Sequence, residues 1–366
     1  MKNQTLVFAG ALTLAVTTHA QQNSVSTANV SHDIDPIVIS ASRMAQPRSM
    51  SAAIVDVITR EQIEQSGASN VAEFLDTVGG MSLTRLYGRA GVDASLDIGY
   101  LGEAGSQNVL VLVDGERLNS LDSSGIRFAQ LPMSSIERIE IRKANGGALY
   151  GDRAQGGVIN IITRTDATKE VAASLGSFGT KKLDAYLGFK TDDVRGAVSL
   201  MSASANGYRA YSESRQNSAQ IKLATSGDWG SLGFFARGFE EKAQLPSYLT
   251  PQEFVTDPRK IGAYPIASER SGGAAGVRYD RAVGSNSTVS LDVFHQTSRE
   301  KLYSTIHNSR TAFNPEFRTR WGAGQWVIGG EFSDTHANTD DGKQVSQYSQ
   351  SLYAQTIQPV LQTLNL

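Results

Sequence analysis

From Lys169 onward, polar and apolar residues alternate with a period of two in stretches of about ten. Along 182–190, Leu183, Ala185, Leu187 and Phe189 fall on one side, with Lys182, Asp184, Tyr186 and Lys190 on the other. Ile221 and Leu223 alternate with Gln220, Lys222 and Ala224, and Val289, Leu291 and Val293 with Ser290, Asp292 and Phe294. Neighbouring side chains of a strand point to opposite faces, so each stretch predicts a strand with two unlike faces. Nine are predicted, at 169–177, 180–190, 194–204, 214–225, 229–241, 270–282, 287–301, 322–336 and 346–358. A short turn at Ser177-Phe178-Gly179 contrasts with polar stretches at 242–269 and 302–320, read as long loops. Dyad strands with tight turns at one end and long loops at the other form the pattern of a transmembrane β-barrel.

The preceding 43–166 have a mixed texture that predicts an α+β domain. Ile54–Ile58 reads as a strand, and Thr59 with Gln62 and Asn70 with Glu73 fit capping boxes that open helices. In the second helix Val71, Phe74, Leu75 and Val78 share one apolar face. Val109–Val113 predicts a buried strand, and Asp114-Gly115 a hairpin turn. The stretch 131–164 joins an alternating strand to a second, β-branched one through Gly146, Gly147, Gly151, Gly156 and Gly157. Glycines at that density imply close backbone approach and positive φ.

The N-terminus adds an export signal. Lys2, the apolar run Leu6–Val16 and the small residues around Thr18-His19-Ala20 predict a signal peptide over 1–20, cleaved after Ala20. That run is too short to cross a bilayer, and no other window offers the roughly 20 apolar residues a spanning helix needs. Residues 21–33 are polar and predict a linker. The following run, Asp35, Pro36, Ile37, Val38, Ile39 and Ser40, reads either as a first strand or as a peptide that pairs with a partner's strand. Pro36 lacks an N–H, so pairing begins at Ile37.

Composition narrows the chemistry. With 34 basic against 36 acidic residues, nothing favours nucleic acid. The absence of cysteine removes disulfides and thiolate metal sites, and the five histidines stand at no ligand spacing. No GxSxG, HExxH or phosphate-binding loop occurs, so neither an enzyme nor a cofactor is expected.

VITREQIEQSG (57–67), NVAEFL (70–75), VLVDGERLN (111–119), IERIEI (136–141) and GGVINIITR (156–164) occur in this order. Together they resemble the plug domain of TonB-dependent outer-membrane receptors, with a texture similar to the cobalamin and ferric-siderophore receptors. The resemblance implies a signal peptide (1–20), a periplasmic linker containing a TonB box (21–42), a plug (43–166) and a β-barrel (167–366). It implies a Gram-negative outer membrane, TonB as energising partner, surrounding lipid, and a metal-chelate or corrinoid-type ligand. Asp35, Pro36, Ile37, Val38, Ile39 and Ser40 then form the TonB box. Two plug apices would face ligand, with Tyr87, Gly88 and Arg89 on one and Ser120, Asp122 and Ser123 on the other. Ordinary solvated loop tips are the alternative for each. Glu137, Arg138, Glu140 and Arg142 would join a plug–barrel ion network, or form a solvated strand face.

Two elements depart from the family pattern. Leu96-Asp97-Ile98-Gly99 stands where Ile-Arg-Gly is usual, and Arg142-Lys143-Ala144-Asn145 where Arg-Gly-Pro is. The family barrel has 22 strands, so about nine predict an N-terminal part of a longer receptor. A truncated, non-transporting remnant and a surface binding or signalling receptor of the same fold are the other readings.

Overall fold

The computed structural model describes residues 37–39, 43–51, 53–68, 70–78, 81–85, 94–98, 105–120, 125–126, 128–143, 145–361 and 364–365. The expected signal peptide and the linker at 21–33 lie outside these residues. A short pair, β1 (Ile37–Val38) and β2 (Gln46–Pro47), precedes β3 (Val55–Thr59), α1 (Arg60–Gln65) and α2 (Val71–Asp76). The Thr59 hydroxyl accepts from Gln62 N while the Gln62 side chain accepts from Thr59 N, the predicted reciprocal cap. Asn70 Oδ1 accepts from Glu73 N at 2.9 Å and caps the start of α2.

A hairpin of β4 (Met81–Arg85) and β5 (Ala94–Ile98) follows, then α3 (Gly105–Asn108), β6 (Val109–Val113) and β7 (Glu116–Arg117). β8 (Ile136–Arg142), α4 (Gly147–Tyr150) and β9 (Gly157–Thr163) complete the domain. Its sheet runs β3-β8-β9-β6-β7, with β6 and β9 parallel and the other pairs antiparallel. Phe74, Leu75, Leu96, Ile98, Val111, Ile139 and Ile159 are among its core residues. The altered element at 96–98 thus serves the core through Leu96 and Ile98.

Asp114 and Gly115 have φ of 52° and 90°, so both turn residues take the left-handed conformation of a type I′ hairpin. Gly157 needs its hydrogen for space, since a Cβ there would sit 2.6 Å from Arg142 O across the β8–β9 pair.

The wall is a meander of ten antiparallel strands. They are β10 (Lys169–Gly176), β11 (Thr180–Lys190), β12 (Val194–Ala205), β13 (Ser214–Gly227), β14 (Gly230–Leu245), β15 (Ile266–Val283), β16 (Ser287–Lys301), β17 (Thr305–Trp321), β18 (Gly324–Thr339) and β19 (Gln344–Ile357). A six-residue helix, α5 (Pro251–Thr256), lies between β14 and β15. The alternation reads as expected on β11. Asp184 and Tyr186 are buried against the plug side, and Leu183, Leu187 and Phe189 are exposed outside. Among the described residues, β10 and β19 each pair on one side only.

Three expectations change. The stretch 302–320 is mostly strand β17, so the wall has ten strands and not nine. Its outward residues His307, Ser309 and Thr311 are polar because they lie toward the loop end, beyond the apolar stretch marked by Phe313 and Phe317. The expected loop 242–269 shrinks to 246–265, since β14 and β15 extend into it. The 177–179 turn lies, by strand parity, at the same end as that long loop. Phe178 packs edge-on against Tyr208 at 5.5 Å, and Arg259 lies 5.2 Å over the Tyr208 ring. All three tryptophans mark the opposite, tight-turn end. Trp229 stacks on Tyr279 there, and Trp321 meets Trp326, as aromatic side chains do at a membrane interface.

Candidate functional site: the seam between plug and wall

A series of ion pairs joins the plug to the inner wall. At the start of the wall, Arg60 and Arg164 both reach Glu170 on β10, at 2.8 and 2.9 Å. Arg164 also holds Asp166 at 2.6 Å and lies 3.9 Å over the Tyr186 ring. Arg164 and Thr168 hold the Asp166 carboxyl well below the usual range. The hairpin residue Asp114 binds Lys222 of β13 at 3.0 Å and Thr163 N at 2.9 Å. Next to it, Glu116 meets Arg237 of β14 at 2.9 Å, with both side chains nearly sealed from solvent. Burial raises the Glu116 pKa, and the Arg237 charge opposes that rise.

The far side of the seam centres on Glu331 of β18. Arg117 Nε donates to Glu331 Oε1 at 2.8 Å, Arg310 Nη2 donates to the same oxygen at 2.9 Å, and Arg43 Nη2 lies 3.8 Å from Oε2. Arg117 also binds Asp152 at 3.0 Å and the Tyr150 carbonyl. Arg43 lies between two rings, 4.7 Å from Tyr150 of the plug and 4.2 Å from Tyr353 of the wall. Burial pushes the Tyr150 hydroxyl up to about 12, so it stays protonated. A guanidinium between two rings gains roughly 2 kcal/mol or more where it is desolvated. This single side chain therefore bridges plug and wall.

The N-terminal segment is fastened just before Arg43. Ile37 and Val38 pair with β2, and Ile39 N donates to Glu140 Oε2 at 2.9 Å. Glu140 is fully buried and pairs with Arg138 at 2.9 Å. Asp35, Pro36 and Ser40 lie outside the described residues. Among the expected network residues, Arg138 and Glu140 meet each other and tie down the N-terminal segment, Arg142 Nη2 donates to Asn145 O at 3.2 Å, and Glu137 is exposed. Ion pairs between plug and wall in the described residues include those of Arg43, Arg60, Asp114, Glu116, Arg117 and Arg164.

A cavity of about 340 Å³ opens beside Glu331, between plug and wall toward the loop end. Its lining is rich in hydroxyls and amides, including Ser120, Gln296, Ser298, Asn308, Thr335 and Gln347. Ser120 is thus the expected apex residue that the structure brings to a cavity. Tyr87, Gly88, Arg89, Asp122 and Ser123 lie outside the described residues. Sequence reasoning missed Arg43, Arg117, Tyr150, Arg310, Glu331 and Tyr353. The one available signal was strand parity, which puts Glu331 and Tyr353 on the inward face of their strands.

Residues 47–158 match the family model for the TonB-dependent Receptor Plug Domain. The chain is 36% identical over 176 residues to the vitamin B12 transporter BtuB of Vibrio cholerae, covering 47% of this chain and 28% of that protein. The BtuB of Photobacterium profundum is 32% identical over 183 residues, covering 49% of this chain and 29% of it. The chain thus spans less than a third of the length of these relatives. Among solved structures, the ferric-catecholate import receptor Fiu of E. coli K12 superposes with a TM-score of 0.69 at 14% identity, covering 87% of this chain and 58% of Fiu. The ferripyoverdine receptor of the outer membrane of Pseudomonas aeruginosa gives 0.69 at 12%, covering 89% and 52%. These two show a shared fold. The plug match and the transporter relatives agree that residues 47–158 form a plug domain of the TonB-dependent receptor family, and the ten-stranded wall shares the fold of the receptors it superposes on.

Proposed function

We propose that this chain acts in the uptake of a scarce nutrient across a Gram-negative outer membrane, with a corrinoid of the cobalamin type as the first candidate. Ferric siderophores and haem are the other ligands of that class. The observation that carries the reading is Arg43, held between a plug ring and a wall ring only four positions after Ile39. A partner that draws Ile37–Ile39 into a strand of its own must first break the β1–β2 pair and the Ile39–Glu140 bond. The same pull then extracts Arg43 from the seam and weakens the Glu331 cluster.

In this reading TonB supplies the pull, 21–42 is the linker with its coupling segment, 43–166 the plug, and the wall begins at 167. Ligand rests above the plug, near Ser120 and the apices at 87–89 and 122–123. Sequence similarity to vitamin B12 transporters supports a corrinoid over an iron chelate, because the siderophore receptors share only the fold at low identity. In lipid both outer strands need partners for their free N–H and C=O groups, so transport further requires that β10 and β19 be paired.

Uptake assays in cells with and without functional TonB, using labelled cyanocobalamin, ferric catecholate and haem, test the proposal. TonB-dependent accumulation of cyanocobalamin is expected. Accumulation indifferent to TonB would overturn the coupling, and preference for an iron chelate would overturn the ligand.

A further inference from the structure

One cross-strand row on the outer face of the wall gathers positive charge at the loop end. Lys181 of β11 lies opposite Ser204 of β12, and Ser204 lies opposite Arg215 of β13. The row continues through Lys242 of β14, Glu269 of β15 and Lys301 of β16. Residues directly opposite one another in paired strands share a face. Lys181 has the parity of the outward Leu183, Leu187 and Phe189, so the row points away from the plug. Lys242 pairs with Glu240 at 3.2 Å, and Glu269 stands between Lys242 and Lys301. Lys181 and Arg215 differ, because both are exposed and neither has an ion-pair partner among the described residues.

Lys181 and Arg215 are two strand spacings apart, about 10 Å at the backbone, and both side chains are long enough to converge above Ser204. A guanidinium fork, an ammonium and a hydroxyl are all donors, the set that a phosphate accepts from. Toward the turn end the same face becomes apolar. Leu183 follows Lys181 by two positions, with Leu187 and Leu200 beyond it, all exposed. Between the charges and the leucines, Ser202 Oγ donates to Asn217 Oδ1 at 2.8 Å on β12 and β13. A soluble anion would leave the leucines in water, and an uncharged lipid would leave the two cations unanswered. A molecule with a phosphorylated head above acyl chains satisfies both.

We propose that Lys181, Ser204 and Arg215 seat one phosphate of a phosphorylated glycolipid in the outer leaflet, with its acyl chains against Leu183, Leu187 and Leu200. The inference rests on the receptor reading, which puts the loop end outside the cell. Ser202 and Asn217 supply hydroxyl and amide groups at the level where the sugars of such a head lie. Charges at a membrane surface attract anionic lipid head groups over a Debye length, so the attraction weakens as salt rises.

The test uses the chain extracted in mild detergent and washed free of lipid, with bisphosphorylated lipid A as probe and binding read by native mass spectrometry. The double substitution Lys181→Gln/Arg215→Gln removes the seat. Arg281→Gln, at an exposed outward cation on the turn end of β15, is the charge control. The double substitution should weaken lipid A binding about tenfold, while Arg281→Gln leaves it unchanged. Dephosphorylated lipid A should bind the wild type as weakly as intact lipid A binds the double variant. Equal binding by wild type and double variant, or an equal loss in Arg281→Gln, overturns the seat. Phosphatidylglycerol held as tightly as lipid A overturns the assignment to a glycolipid. Absence of TonB-dependent uptake in cells would count against the receptor reading and leave the binding comparison standing.

Discussion

At the residue scale, the seam holds charges that water no longer serves. Arg237 is buried against Glu116, so Glu116→Gln leaves a desolvated guanidinium without its counter-charge. Breaking a buried pair in this way costs about 3–5 kcal/mol, and thermal unfolding of the detergent-extracted protein should drop accordingly. An unchanged melting temperature would show that water reaches Arg237. The pH dependence has a defined sign. The folded pKa of Glu116 is raised above 4.5 by burial, so its contribution is most favourable below that value and declines as pH rises through the folded one. Asp166 behaves oppositely. Its pKa is depressed by Arg164 and Thr168, so its contribution is complete above 3.8 and fades only as pH falls below. Asp166 is partly exposed, and its share is correspondingly small. This chemistry was only half legible. Arg117 stands inside the VLVDGERLN string and Tyr150 within the glycine-rich stretch, yet the Glu331 partner of Arg117 lies 214 positions away. No local pattern can announce a pairing that only the closure of plug against wall creates.

At the element scale, period and caps carried most of the information. The β11 alternation, the Thr59 cap and the Asp114-Gly115 turn appear where local sequence placed them, because each depends on near neighbours alone. β17 escaped because part of its outward face is polar, so the twofold rhythm fades while backbone pairing with β16 and β18 continues. The glycine-rich stretch implied close approach, and Gly157 shows where. A Cβ there meets the Arg142 carbonyl, so Gly157→Ala should force β8 and β9 apart at a cost of about 1–3 kcal/mol. Circular dichroism melts would reveal it, and a neutral result would mean that the pair tolerates widening. The exposed apolar face of the wall makes a second prediction. Leu200→Arg, outward on β12, should destabilise insertion by about 2–4 kcal/mol if the site lies near mid-bilayer. Refolding titrations into phospholipid vesicles measure this. A cost near zero would place Leu200 away from lipid.

On the scale of the whole molecule, the plug is fastened unevenly. One group of contacts, at Glu170, Lys222 and Arg237, lies beside the point where the chain passes from plug to wall. The other, at Glu331 and Tyr353, lies beside the N-terminal segment. A force applied at Ile37–Ile39 reaches the second group first, through Arg43. Arg43→Ala should therefore loosen this side of the plug and raise hydrogen exchange in the Gly147–Tyr150 helix, while exchange in β9 stays slow. Equal change in both elements would mean that Arg43 does not act locally.

In the proposed coupling the N-terminal segment transmits work to a plug that otherwise blocks the wall. Its most direct test is energised uptake of labelled cyanocobalamin by a variant lacking residues 35–42, with surface binding measured in the same cells. Uptake is expected to fall to the level of cells without TonB while binding persists. Undiminished uptake by that variant would contradict it.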